Sequence, residues 1–162
     1  DVEVLKRFNV NNTCSIVEFD YSLLNRKAEA EMLPYCIEHG IAVLVRGPLA
    51  QGLLSGKYAR DTVFTDTIRA KWHKNEAKQS KFNRDIEAIE ALKANLRPHE
   101  EMASTALRYV ISHPVQPVAI PGAKSPQQAA TNAQAGDKLL SLEEYKTVLF
   151  SQDVLQKAHA TS

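Results

Sequence analysis

The 162 residues contain two cysteines, Cys14 and Cys36, one tryptophan and six glycines. Two cysteines cannot build a disulfide framework, and no Cys/His cluster has the spacing of a metal site, so a reducing cytoplasm is the expected compartment. An excess of either charge is also missing. Twenty Lys and Arg stand against nineteen Asp and Glu, a formal net charge of +1, whereas a dedicated nucleic-acid binder would carry a basic excess or stripe. Long hydrophobic runs are absent: residues 41–45 are among the longest and are far too short to cross a bilayer, so no membrane is expected. The charged opening at 1–8 does not read as a cleaved signal. There is no Gly-, Ser- or Pro-rich linker, no low-complexity tract and no repeat of roughly 20–50 residues. The remaining composition, 44% hydrophobic and 24% charged, describes one soluble globular domain with a sizeable core.

Two kinds of segment alternate. Residues 15–21 (SIVEFDY) are β-branched and aromatic, and read as a strand. Residues 26–39 follow with Ala28, Met32, Cys36 and Ile37 at helical spacing, and Gly40 stands where a helix C-cap belongs. Residues 41–45 (IAVLV) are apolar on both faces, the pattern of a parallel strand covered on both sides. A charged stretch of little periodicity, 46–81, precedes a helix over 82–96, with Phe82, Ile86, Ile89, Leu92 and Leu96 on one face. A second helix over 101–113 places Met102, Ala106, Tyr109 and Val110 inward, and Pro114 ends it. Residues 118–121 (VAIP) form a third strand. Ser125 and Gln128 make a capping box around Pro126, and Ser141 and Glu144 repeat it before a last helix ending near Leu155. The tail 156–162 is expected to fray. The expected fold is α/β, with three parallel strands and flanking helices.

In parallel βα folds, ligands gather at the C-terminal ends of the strands. Two segments lie there. Residues 46–58 (RGPLAQGLLSGKY) carry Gly47, Gly52 and Gly56, which permit turns and close backbone approach, and Lys57, a cation. The spacing matches neither G-x-G-x-x-G nor a P-loop, and a plain glycine-rich turn is the competing reading. Residues 120–128 (IPGAKSPQQ) join a strand end, a glycine, Lys124 and a capped helix start. Unpaired N–H groups and the positive end of the helix dipole favour an anion there, and Lys124 adds a charge-assisted contact to a phosphate. The plainer reading, a solvated Lys124 beside a capping Ser125, is compatible with it. Glu18 and Asp20 share one strand face and are a candidate acid–base pair, or simply a solvated strand end. His39 and His113 lie at helix ends, where they suit the helix dipole. Cys14 and Cys36 read as core residues, and Trp72 as a lid anchor or partner contact. No Ser/His/Asp or Cys/His arrangement is recognisable.

Three stretches together, YSLLNR at 21–26, LPYCIEHGIAVLVRGPLAQGLLSGKY at 33–58, and ALRYVISHP with VAIPGAKSPQQAATNAQA within 106–135, resemble the bacterial-type aldo-keto reductases in order and spacing, over roughly residues 16–150. The resemblance implies the C-terminal half of a TIM barrel over residues 1–155, a partial (half) barrel holding the sixth to eighth strands, with residues 1–10 as the tail of the preceding helix. It implies NADP(H) as cofactor. Gly47, Pro48, Leu49, Gln51, Gly52 and Leu53 correspond to the loop over the pyrophosphate. Gly122, Ala123, Lys124 and Ser125 correspond to the 2′-phosphate pocket, and Gln128 and Asn132 to positions on the adenosine side. Three positions depart from the family: Glu18 replaces a glutamine that holds the nicotinamide amide, Arg46 an aromatic that stacks on it, and Thr131 a glutamate. The family's Asp, Tyr, Lys and His tetrad belongs to the first half of the barrel and has no counterpart here. The implied roles are therefore a fragment of a reductase, a half-barrel that pairs as a homodimer or higher oligomer or with a missing N-terminal half, or a non-catalytic nucleotide-binding or interaction module.

Overall fold

The computed structural model describes residues 1–149. In chain order come α1 (Val2–Phe8), β1 (Ile16–Asp20), α2 (Met32–Glu38), β2 (Ala42–Arg46), α3 (Glu76–Ala94), α4 (Met102–Ile111), β3 (Val118–Ile120) and α5 (Pro126–Gln134), with a further helical segment at 142–149. The strands form one parallel sheet in the order β1-β2-β3, and their last residues, Asp20, Arg46 and Ile120, lie side by side. The alternation expected from the sequence is present.

Burial on both faces of β2 is not. Val43 and Val45 are buried, but Ala42 and Arg46, on the opposite face, are exposed. The same parity holds in the neighbours: Ile16 is 58% exposed, Val118 60% and Ile120 47%, while Val17, Phe19 and Ala119 pack against the core. Successive strand residues point to opposite faces, so helices cover one face and the other is open. In a closed barrel that second face is the lumen side, packed by strands from all around the ring. The described residues supply three of those strands.

The helix expected over 26–39 is interrupted. A single 3-10 turn (Lys27–Glu29) comes first, and α2 begins only at Met32. Pro34 is the reason: in a continuous helix its missing N–H and its ring would collide with the Ala30 carbonyl, whereas in the first turn of α2 neither matters. Gly40, at φ +63°, ends α2 as expected. The Ile41 N–H reaches Cys36 O at 2.9 Å and the Gly40 N–H reaches Ile37 O at 3.3 Å, the paired bonds of a Schellman cap. Helix α3 starts six residues before the expected 82, because the Asn75 side chain accepts from the Lys78 N–H at 3.0 Å. Phe82, Ile86, Ile89 and Leu92 are buried along it, as are Met102, Ala106, Tyr109 and Val110 along α4. The Ser141/Glu144 box closes in both directions, at 3.2 and 2.7 Å. The expected helix end near Leu155 and the tail 156–162 lie outside the described residues.

A polar cluster, its two phenols buried and its ion pair half-buried, ties the end of β1 to α4. The Tyr21 hydroxyl donates to Glu29 Oε1 at 2.7 Å, the Tyr109 hydroxyl donates to the same oxygen, and Arg26 grips both carboxylate oxygens at 2.8–3.1 Å. Tyr21 and Tyr109 are fully buried, and burial pushes both phenols far above their ordinary values. Burial would also raise the Glu29 carboxyl, but the hydrogen bonds from Arg26, Tyr109 and Tyr21 outweigh it and hold it below the usual range. Nothing in the sequence pattern announced this cluster.

Candidate functional site

Both segments singled out at the strand ends emerge from the same edge of the sheet, one after Arg46 and one after Ile120, residues that pair across β2 and β3. The first is a tight turn. Gly47 is at φ +65°, and a Cβ there would stand 3.1 Å from Asp20 Oδ1, so only glycine fits without displacement. Ala50, Gln51 and Gly52 follow at φ 49°, 55° and 95°, a left-handed run that disfavours side chains by about 1–2 kcal/mol per residue. It is braced by the Ala50 N–H to Gly47 O and the Gly52 N–H to Leu49 O, both 2.9 Å, and by Ser55 Oγ to Gly52 O at 2.7 Å. Pro48 and Leu53 are buried and Leu49 is half-buried. They anchor the turn, while Gln51 projects outward.

The second segment is one hydrogen-bonded unit. Ser125 Oγ caps α5 by accepting from the Gln128 N–H at 3.2 Å. The expected return bond differs: Gln128 Oε1 accepts from the Lys124 N–H at 2.7 Å rather than from Ser125. Asn132 Nδ2 donates to Gly122 O at 3.4 Å. Pro126 occupies the first turn and no acidic residue stands there. Gly122, Ala123, Lys124, Ser125 and Gln128 are exposed. The turn thus offers the positive end of a helix, a hydroxyl and an exposed ammonium with no carboxylate partner among the described residues, a donor set that fits a phosphate.

The remaining candidates sort themselves by geometry. Glu18 and Asp20 do share the open sheet face and are exposed, but Asp20 is held by Arg46 at 2.7 Å and is no free acid or base. His113 is not the helix-dipole cation expected: burial lowers its pKa and its Nδ1 accepts from the Val115 N–H at 3.2 Å. His39 lies against Tyr35, ring centres 4.1 Å apart and planes tilted by 37°. Cys36 is buried, its thiol pushed up to about 11 chiefly by that burial, as a core residue should be. Trp72 packs on Phe82 and edge-on to Phe64 within the chain.

Trp72 also borders a cavity of about 560 Å³, a size usual for small-molecule sites. It opens between the strand ends (Asp20, Gly47), the 50–53 turn and the first half of α3. Lys71, Lys78 and Lys81 line it too. Sequence reasoning missed these lysines, because they come from a stretch without periodicity and meet the strand ends only in three dimensions. None of residues 122–132 borders this cavity.

A parallel sheet with a glycine turn and a capped, positively polarised helix at its C-terminal edge is an α/β arrangement of the kind that gathers ligands at its strand ends. Residues 2–149 match the family model "Aldo/keto reductase family", and the chain belongs to that family. It is 25% identical over 150 residues to the aldo-keto reductase YhdN of Bacillus subtilis, covering 91% of this chain and 45% of that protein. It superposes on the glycerol dehydrogenase AKR11B4 of Gluconobacter oxydans with a TM-score of 0.71 at 29% identity, covering 84% of this chain and 41% of that one. An aldo/keto reductase of Klebsiella pneumoniae solved with NADP and acetate gives 0.58 at 28% identity, covering 91% and 43%. The chain spans about half the length of the relatives it matches, and the resemblance read from the sequence stands as family membership. No helix among the described residues is long and apolar enough to cross a membrane.

Proposed function

We propose that this chain is the NADP(H)-binding C-terminal half of an aldo-keto reductase barrel, one that seats the cofactor for a carbonyl/alcohol oxidoreductase whose reacting side chains are not among these 162 residues. The observation that carries this reading is the turn at 122–128, where an exposed Lys124 pairs with no carboxylate of the described residues beside the capped start of α5. When bound, the cofactor supplies the hydride. These residues would hold it: Lys124, Ser125 and the α5 terminus at the 2′-phosphate, the 47–53 turn at the pyrophosphate, and Gln128 and Asn132 on the adenosine side. The relative solved with NADP supports the cofactor's identity.

Lys124→Ala is expected to weaken NADPH binding by about 1.5–3 kcal/mol, the value of a charge-assisted hydrogen bond, or roughly 10- to 150-fold. NADH, which lacks the 2′-phosphate, should be almost unaffected in the same calorimetric titration. Equal loss for both dinucleotides would refute the assignment. The exposed apolar side chains of Ile16, Val118 and Ile120 on the open sheet face further support association, with a second copy or with an N-terminal half, because such surface is costly to leave in water. Light scattering on the isolated chain should give a mass above 18.0 kDa, and a monodisperse monomer would contradict association with a second copy.

A further inference from the structure

The two cysteines take no part in the nucleotide reading, yet the fold draws them to one place. Cys14 lies in the loop between α1 and β1, and Cys36 lies in α2. Both meet the N-terminal edge of the sheet, away from the strand ends described above. The Ala42 N–H donates to the carbonyl of Ser15, next to Cys14, and the Ile41 N–H donates to the carbonyl of Cys36, both at 2.9 Å. Two successive amides leading into β2 thus hold both cysteine segments. The buried Asn9 side chain is a second tie. Its Oδ1 accepts from the Cys14 N–H at 3.0 Å, and its Nδ2 donates to the hydroxyl of Tyr35, the residue before Cys36, at 3.2 Å. Cys14 packs against the core cluster to which Cys36 belongs. Access separates the two thiols: Cys36 is 1% exposed, whereas Cys14 is half-buried, its Sγ 3.5 Å from Ile16 O. Burial pushes the Cys36 thiol up to about 11, and the neighbouring Cys14 adds to the rise. Cys36 is therefore the poor first nucleophile and Cys14 the reachable one.

We propose that Cys14 and Cys36 form a peroxide-responsive pair, Cys14 reacting first and Cys36 resolving it to an intramolecular disulfide. The Cys14 thiolate attacks the peroxide O–O bond and keeps one oxygen as a sulfenic acid, while the other leaves as water. The Cys36 sulfur then displaces that oxygen. The S–S bond forms, the S–O bond breaks, and the Cys36 proton joins the departing hydroxide as a second water. The thiols lose two electrons and two protons, and one peroxide is reduced to two waters. A single bridge of this kind is a reversible modification that a reducing compartment undoes, not the structural framework that two cysteines cannot build.

The test treats the whole folded chain with hydrogen peroxide and reads its intact mass and its unreduced peptides. The chain should lose the mass of two hydrogens and give one peptide pair joined through Cys14 and Cys36, and dithiothreitol should reverse both. The oxidised chain should also show a higher urea midpoint than the reduced one, because the bridge closes a loop in the unfolded chain. Cys36→Ser should stop the reaction at Cys14, whose sulfenic acid dimedone then captures, whereas the unsubstituted chain should give little of that adduct. Oxygen gained at Cys14 with Cys36 still free to alkylate after unfolding, a bridge between two copies, or a disulfide formed only in urea would each overturn the proposal. The unsubstituted chain alone decides among these results, so a poorly folding variant does not shield the proposal. The nucleotide turns play no part in the reaction, and the outcome is read apart from the reductase reading.

Discussion

Glu29→Ala should destabilise the chain by about 3 kcal/mol, read as a lowered urea midpoint with unchanged slope. One carboxylate accepts from two buried phenols and pairs with Arg26 at 2.8 Å. Removing it leaves Tyr21 and Tyr109 hydroxyls buried without that acceptor, and an unsatisfied buried donor costs about 1–3 kcal/mol. The loss is felt across the fold, because Tyr21 leaves β1 and Tyr109 sits on α4, 80 residues from Glu29. Glu29→Gln keeps an acceptor but not the charge, and should fall between the two. A Glu29→Ala midpoint within about 0.5 kcal/mol of the parent, the range of ordinary surface changes, would show that the cluster is incidental.

The same group fixes an acid dependence. Its folded pKa lies below the ordinary carboxylate value of 4.5, so the folded state binds its proton more weakly than the unfolded chain does. The stabilisation is complete above pH 4.5 and is lost as pH falls through the lower folded value. His113, held neutral by burial, adds a separate loss that begins as pH drops below 6.5, where the unfolded chain protonates. Glu29→Gln should erase the component below pH 4.5 and enlarge the histidine component, because the Glu29 charge acts against the burial that lowers the His113 pKa.

Gly56→Ala is the second large effect expected, about 2–5 kcal/mol. Gly56 sits at φ +70°, and an added Cβ would stand 3.0 Å from the Met102 Cβ and 3.3 Å from its Cγ. The left-handed backbone alone costs an L-residue about 1–2 kcal/mol. Overpacking against the first residue of α4 adds about 1–3 kcal/mol, because a Cβ cannot swing away as a side-chain tip can. Lys93 Nζ also donates to the Gly56 carbonyl at 3.1 Å, so a shift here loosens α3 as well as the 50–55 turn. Gly136→Ala is the control: a Cβ there meets nothing within 4 Å and the backbone is not left-handed. Thermal melts should separate the two by 2 kcal/mol or more, and equal melts would mean that the α4 contact yields freely.

The elements that sequence made legible are those written in local code. Val43 and Val45 on β2, the 3–4 spacing of Phe82, Ile86 and Ile89, the Gly40 stop and the Ser125 and Ser141 caps each depend on neighbours within a few residues. Pro34 shows local code overlooked, since its place decides where α2 can begin. The rest is long-range. Glu29 acquires its role only when α4 delivers Tyr109, and Asp20 loses its availability only when β2 sets Arg46 beside it. The cavity needs Trp72 and Lys71 folded back over strand ends some 25 to 50 residues earlier in the chain. The turn at 122–128, proposed above to hold a phosphate, is legible because its donors lie within seven residues. Its Gln128 bond was misplaced by one residue, because the amide reaches the Lys124 N–H instead of closing on Ser125.

The most direct measurement of the phosphate site is a map of backbone amide shifts in the isotope-labelled chain, titrated in parallel with NADPH and NADH. With NADPH, amides at 122–128 should move together with those at 47–53, and with NADH the 122–128 amides should stay near their free positions while 47–53 still responds. Identical perturbation of 122–128 by both dinucleotides, or NADPH shifts confined to residues outside these two turns, would contradict the assignment of Lys124 and Ser125 to a 2′-phosphate.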